Sequence, residues 1–219
     1  MKLVLYGGGS GPENIAIDQA VLRNLRNKKP KITYIPSSSY DAEEDFQAYA
    51  WHYKKLNINQ VICLPADVPV DAVMKKYAFD SDIIHLSGGN TYYFLHHLRK
   101  SSYLGRLRQF VKRGGTLSGL SAGAIIMTPN ISMAGYPEFD RDENFVNIKT
   151  LNSLSLVDFE FFPHYKNSKR YEKAMLAYSK KINRIVYACP DGAGIFINGD
   201  RKTFFGKVYC FFQGAKLVI

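Results

Sequence analysis

The stretch Thr116-Leu117-Ser118-Gly119-Leu120-Ser121-Ala122-Gly123-Ala124 decides how the chain is read. Thr116 to Leu120 is strand-like and runs straight into small residues that open a helix-like segment. A strand that turns at once into a helix is the repeating unit of a parallel α/β sheet. Gly119-Leu120-Ser121-Ala122-Gly123 also matches G-x-S-x-G, in which small neighbours let the chain turn sharply and present a serine hydroxyl at the strand's carboxyl end. The N–H of Ala122 then points into the site from a helix start, where a developing oxyanion can be held. A plain tight strand–helix junction would use the same small residues.

The same rhythm runs upstream. Strands are expected at Leu3 to Tyr6, Ile32 to Ile35, Val61 to Leu64 and Ile83 to Leu86. Helices are expected at Glu13 to Asn27, Asp41 to Leu56 (with Asp41 as N-cap), Ala72 to Tyr77, Tyr92 to Arg99 and Leu104 to Arg113. Unbroken apolar strands separated by helices imply a mostly parallel sheet with helices on both faces. Downstream, strands at Phe159 to Phe162 and Ile185 to Ala188 flank a helix from Ser168 to Lys181. Gly194 to Ile197, Lys202 to Phe205 and Val208 to Phe212 then read as antiparallel hairpins near the C-terminus, closing one edge. The fold class is therefore α/β. No repeat or linker divides residues 1–219, and a single hydrolytic domain is expected.

Composition bounds the setting. Three cysteines without C-x-x-C spacing suggest neither a disulfide framework nor a zinc site, and Cys63 and Cys210 are expected in the core. Met1 to Tyr6 is too short an apolar run for a signal peptide or a membrane span, so a cytoplasmic protein without a membrane partner is expected. The net charge of +10 raises the question of nucleic acid. The lysines and arginines are spread over helix ends and helix faces, however, and no nucleic-acid motif accompanies them, so no such partner is expected. Composition gives no oligomeric state; a homodimer suits such folds.

Two further segments carry chemistry. Ser87-Gly88-Gly89-Asn90-Thr91 stands at a strand end and a helix start, with Asn90 as N-cap and Gly89 able to give a second N–H to an oxyanion. Both loops should share one crevice, because open parallel sheets bind ligands beyond the carboxyl ends of their strands. Phe162-Pro163-His164-Tyr165 supplies a base just past an apolar strand. Of the five histidines, His52, His96 and His97 fall within helices, where surface roles are expected, and His85 lies inside an apolar strand as a core residue. Gly7-Gly8-Gly9-Ser10-Gly11 fails the dinucleotide fingerprint, since the third glycine of G-x-G-x-x-G would fall at Pro12. No motif calls for a metal or cofactor.

Taken together, Leu86-Ser87-Gly88-Gly89-Asn90-Thr91, Ser121-Ala122-Gly123-Ala124 and Pro163-His164-Tyr165 resemble the signatures of the dipeptidase E and cyanophycinase family of serine peptidases. The later Pro190-Asp191-Gly192 turn is similar to a P-[DE]-G turn in those enzymes. The resemblance covers nearly the whole chain and implies a fold like the class I glutamine amidotransferases. It implies Ser121 as nucleophile, His164 as base, and Gly89 and Ala122 as oxyanion donors, without metal or cofactor. It also implies a short peptide as substrate. Where the dipeptidase pattern carries an aspartate after the nucleophile, this chain has Tyr136. A carboxylate is still needed to orient the imidazole, and the resemblance to other branches favours Glu138, with Asp140 beside it. Arg170 resembles the arginine that reads an acidic P1 side chain, and Asn90 joins it as a substrate contact. The cyanophycin branch's D-Q-H context is absent before His164. The altered third position also motivates an alternative: a catalytically degenerate homologue that binds a metabolite or partner in the same crevice.

Overall fold

The first strand explains why the apolar runs are unbroken. In β1 (Lys2–Tyr6), Leu3 and Leu5 enter one core while Val4 and Tyr6 enter another on the opposite face. A strand covered on both sides has no solvent face, so hydrophobic alternation disappears. The structure is a computed structural model that describes residues 1–40 and 42–219. The expected N-cap at Asp41 lies outside the described residues.

The strands that follow are β2 (Lys31–Ile35), β3 (Gln60–Cys63), β4 (Ile83–Leu86), β5 (Thr116–Leu120), β6 (Glu160–Phe162), β7 (Val186–Ala188), β8 (Gly194–Asn198), β9 (Arg201–Phe205), β10 (Tyr209–Phe212) and β11 (Ala215–Val218). The helices are α1 (Gly11–Arg23), α2 (Ala42–Lys55), α3 (Ala72–Phe79), α4 (Thr91–Lys100), α5 (Tyr103–Lys112), α6 (Ala122–Ile126) and α7 (Lys169–Lys181). Helix α1 begins before the expected Glu13, because the Glu13 carboxylate accepts from the Ser10 backbone N–H (2.7 Å) and hydroxyl (2.8 Å) and fixes the entry to the helix.

Seven strands form one sheet in the order β3-β2-β4-β5-β1-β8-β9. The first five in that order are parallel, with Leu5 opposite Gly119 where β1 meets β5. Strand β8 runs antiparallel to β1, and β9 antiparallel to β8, closing that edge as the hairpin pattern implied. Side chains of α1 and α2 cover one face around Ile17, Val21 and Tyr53. Those of α3 to α6 cover the other around Phe79, Phe94, Phe110 and Ile126. Among the described residues no helix is long and apolar enough to cross a membrane.

The third hairpin strand does not join that edge. Instead β10 belongs to a second sheet of four strands, ordered β11-β10-β7-β6, against which α7 packs through Tyr171 and Met175. Here β6 and β7 are parallel neighbours, with Phe162 opposite Ala188. Strand β11, which the sequence reading did not include, pairs antiparallel with β10 and leaves Leu217 and Val218 exposed. The cysteines also depart from expectation: Cys63 and Cys210 are only partly buried, and Cys189 is the fully buried one.

Candidate active site

Each functional side chain stands just past the carboxyl end of a strand. Ser121 follows β5 and precedes α6 with φ +51° and ψ −108°, a conformation that costs a non-glycine residue roughly 1–3 kcal/mol. The tightness of G-x-S-x-G has a direct cause: a Cβ on Gly119 would lie 2.4 Å from the Gly123 carbonyl atoms, and one on Gly123 2.3 Å from the Leu86 oxygen. The Ser121 carbonyl accepts from the N–H groups of Ala124 and Ile125, and Gly123 N–H goes to Ser87 O. None of these bonds uses the N–H of Ala122, the first of its helix.

His164 follows β6, and Asp191 follows β7. Because those strands are parallel neighbours, their ends deliver the two side chains together. The Ser121 hydroxyl lies 2.9 Å from His164 Nε2, and Asp191 Oδ1 lies 2.6 Å from His164 Nδ1. His164 and Asp191 are about half exposed, with side-chain accessibilities of 48% and 53%. The geometry assigns Nδ1–H as donor to Asp191 and Nε2 as acceptor from the serine.

The glycine run after β1 makes this pairing possible. A Cβ on Gly8, whose φ is +147°, would lie 2.0 Å from Asp191 Oδ1 and 2.4 Å from the His164 ring. His164 N–H donates to Gly7 O at 2.7 Å, and Gly192 N–H to Gly8 O at 3.2 Å. The Gly7-Gly8-Gly9 loop therefore has a structural use: it joins the two sheets where Ser121, His164 and Asp191 meet.

The carboxylate expectation needs correction. Asp191, not Glu138 or Asp140, partners His164. Glu138 is largely exposed and lies 4.0 Å from Arg141, while Asp140 accepts from the Tyr171 hydroxyl at 2.7 Å. Tyr136 donates its hydroxyl to Ala174 O at 2.8 Å. The signal that marks Asp191 was in the sequence: the Pro190-Asp191-Gly192 turn directly after an apolar strand.

Other expected residues divide. Asn90 caps α4, accepting from Tyr93 N–H at 2.9 Å and donating to Glu143 O at 2.9 Å, so both ends of its amide are engaged within the protein. Arg170 stacks 3.6 Å over the Phe139 ring and is not among the residues lining the cleft. His85 is buried and bonded to the Ser118 hydroxyl at 2.9 Å, with burial pushing its pKa down to about 3. His52, expected on the surface, is instead buried at 2.8 Å from Asp18.

Ser121, Gly89 and His164 sit between two cavities. One is a polar cleft of about 960 Å³ lined by Glu138, Asp142, Glu143 and Asp191 together with Arg141 and Lys166. The other, of about 720 Å³, has aromatic walls. Among the described residues no group of three or more His, Cys, Asp or Glu side chains is arranged to hold a metal ion.

The chain is 27% identical over 209 residues to the uncharacterised peptidase YgaJ of Bacillus subtilis (strain 168), spanning 90% of this chain and 84% of that protein. It is 26% identical over 197 residues to Peptidase E of Salmonella arizonae, spanning 87% of this chain and 80% of that one. The crystal structure of a peptidase from an acI-B1 Actinobacterium superposes with a TM-score of 0.72 at 17% identity, covering 100% of this chain and 93% of that one, and so shares its fold. Residues 3–205 match the family model of peptidase family S51, and the chain belongs to that family.

Proposed function

We propose that this protein is a serine-type peptidase that hydrolyses short peptides with Ser121 as nucleophile, His164 as base and Asp191 as the group that orients the base. The observation carrying this reading is the continuous chain from Ser121 Oγ to His164 Nε2 at 2.9 Å and from His164 Nδ1 to Asp191 Oδ1 at 2.6 Å. Ser121 Oγ attacks the peptide carbonyl as its proton passes to Nε2. The carbonyl oxygen becomes an oxyanion between the N–H groups of Gly89 and Ala122. The Nε2 proton then goes to the leaving amine, whose C–N bond breaks. Water, deprotonated by the same nitrogen, hydrolyses the acyl-enzyme and restores the serine. Asp191 holds the ring in the tautomer that leaves Nε2 free and stabilises the imidazolium.

An N-terminal aspartyl residue suits the polar cleft, because its ammonium and its carboxylate both find opposite charge there. Arg141 and Lys166 are the cations that line the cleft, Arg141 already pairing with Glu143 at 3.2 Å. In this reading they replace Arg170, which is turned onto Phe139. The free thiols of Cys63, Cys189 and Cys210 support a reducing, cytoplasmic setting.

The test is hydrolysis of Asp-, Glu-, Leu- and Arg-led dipeptide amides by wild type beside Ser121→Ala. Cleavage that vanishes in the variant is expected. Loss of Asp preference in Arg141→Ala but not in Arg170→Ala would support the reassigned cation. No cleavage by folded wild type would favour a non-catalytic relative that binds in the same crevice.

A further inference from the structure

The aromatic cavity abuts the nucleophile from the side opposite the polar cleft. Gly88, Gly89, Leu120 and Ser121 form its inner end. Tyr6, Tyr34, Tyr53 and His85, each at most 4% exposed, lie beneath it as its floor, and its accessible walls are Pro12 and Ile15 on α1 and Ala48 and Trp51 on α2. At a volume of about 720 Å³ it is far larger than any one side chain, and it opens to solvent beside Trp51, which is 58% exposed.

The lining presents no free charge at its floor. Asp18 is engaged by the Tyr6 hydroxyl (2.6 Å), the Tyr53 hydroxyl (3.0 Å) and His52 Nε2 (2.8 Å). His85 stacks between Tyr34 and Tyr49 at centroid distances of 5.6 and 4.5 Å. Burial keeps His85 neutral and raises the pKa of all four tyrosines, so their hydroxyls stay protonated at any ordinary pH. Asp45 and Lys55 stand where the cavity meets the surface. Recognition subsites are typically concave, mainly apolar cavities with a few placed polar groups.

We propose that this cavity is a specificity pocket for a large aromatic or aliphatic side chain on the residue that follows the scissile bond, the N-terminal residue lying in the polar cleft. The assignment rests on Ser121 being the nucleophile. The two cavities meet at Ser121, Gly89 and His164, so a bound peptide crosses from charged to apolar surroundings at the bond to be cut. The preferred substrate is then a short peptide with a polar N-terminal residue and a bulky apolar second residue.

Trp51 is the only tryptophan of the chain, which gives a binding signal independent of turnover. Ser121→Ala protein would be titrated with Asp-Phe amide and Asp-Ala amide while tryptophan emission is recorded. The Phe peptide should saturate at a concentration roughly ten- to a hundredfold lower than the Ala peptide. Ala48→Phe and Ile15→Phe, placed on exposed positions that line the cavity, fill it without touching the serine and should abolish that difference. In wild type, kcat/KM should show the same order, with the advantage of Phe over Ala falling to about onefold in the filled variants. Equal binding of both peptides, or a Phe preference untouched by both filling variants, would overturn the proposal. A fluorophosphonate probe on wild type separates the two readings. Failure to label Ser121 sinks the serine mechanism while the titration still decides the pocket, and labelling with a flat titration removes the pocket alone.

Discussion

Ser121 and His164 meet at 2.9 Å, and both carry a left-handed backbone, with φ of +51° and +52°. Neither is a glycine, so each holds a conformation that side chains disfavour by roughly 1–3 kcal/mol. Each stands at a sharp exit from a strand, where the chain must turn while the side chain stays at the mouth of the crevice. The hydrogen bonds from Ala124 and Ile125 to Ser121 O, and from His164 N–H to Gly7 O, fix both turns.

The contact between His164 and Asp191 gives the first prediction. Asp191→Asn keeps the shape but removes the charge that stabilises the imidazolium and selects its tautomer. Its kcat should fall by about 10³–10⁴-fold. Glu138→Gln, on a largely exposed side chain 4.0 Å from Arg141 that makes no hydrogen bond to His164, should stay within about twofold of wild type. Steady-state kinetics of the two variants decide which carboxylate serves. An Asp191→Asn enzyme of normal rate would remove Asp191 from the mechanism.

Gly8 tests the loop between the sheets. A methyl group there would lie 2.0 Å from Asp191 Oδ1 and 2.4 Å from the His164 ring, at a φ of +147°. Gly8→Ala must push the pair away from Ser121. A displacement of about 1 Å in such a site costs about 10²-fold in rate. The expected outcome is a folded protein by circular dichroism with kcat reduced at least that far and KM little changed.

Gly119 and Gly105 should respond in opposite directions. A Cβ on Gly119 meets the Gly123 backbone at 2.4 Å, whereas one on Gly105, exposed on α5, meets nothing within 4 Å. Gly119→Ala should destabilise by about 3 kcal/mol or more, since two backbones must separate. Gly105→Ala should stabilise by about 0.5–1 kcal/mol through helix propensity. Denaturant titration of both against wild type measures the difference.

Glu160 carries a pH prediction. It is buried to 2% exposure, and burial raises its pKa despite Arg184 at 3.8 Å and Asn130 at 3.4 Å. A carboxyl whose folded pKa lies above its unfolded value of about 4.3 favours the fold when protonated. Its contribution turns unfavourable as pH rises from that unfolded value through the folded pKa, and is constant above it. Glu160→Gln, which carries no charge, should therefore raise Tm at pH 7–8 and give no gain below about pH 4. A gain that grew on acidification would reverse the assignment.

The parts of this molecule that sequence revealed are those encoded locally. The run Leu3-Val4-Leu5 declares a strand buried on both faces, Gly119 to Gly123 declares a tight turn from strand to helix, and Pro163-His164 places a histidine just past a strand end. What stayed hidden depends on partners far away in the chain. Asp191 finds His164 across 27 positions because β6 and β7 are neighbours in a second sheet; the Pro190-Asp191-Gly192 turn marks the residue locally but not the histidine it meets. The loop of acids from Glu138 to Glu143 looked nearer in sequence to the serine, yet it lines the cleft wall. His52 looked like a surface residue of α2 because Asp18, its partner, lies 34 positions earlier on α1. Strand β10 was placed on the wrong edge for the same reason: hairpin spacing names a turn and not the sheet that receives it.

The division of the catalytic groups between two sheets also orders the birth of the enzyme. Ser121 and its helix are complete by Ile126, while His164 and Asp191 follow β6 and β7. A nascent chain emerges from its amino end, so a half-made molecule exposes a serine with no histidine to deprotonate it. On the proposed mechanism, hydrolysis must wait for the segment that carries residues 164 and 191. On that mechanism a chain truncated after Asn152 should take up no fluorophosphonate at Ser121.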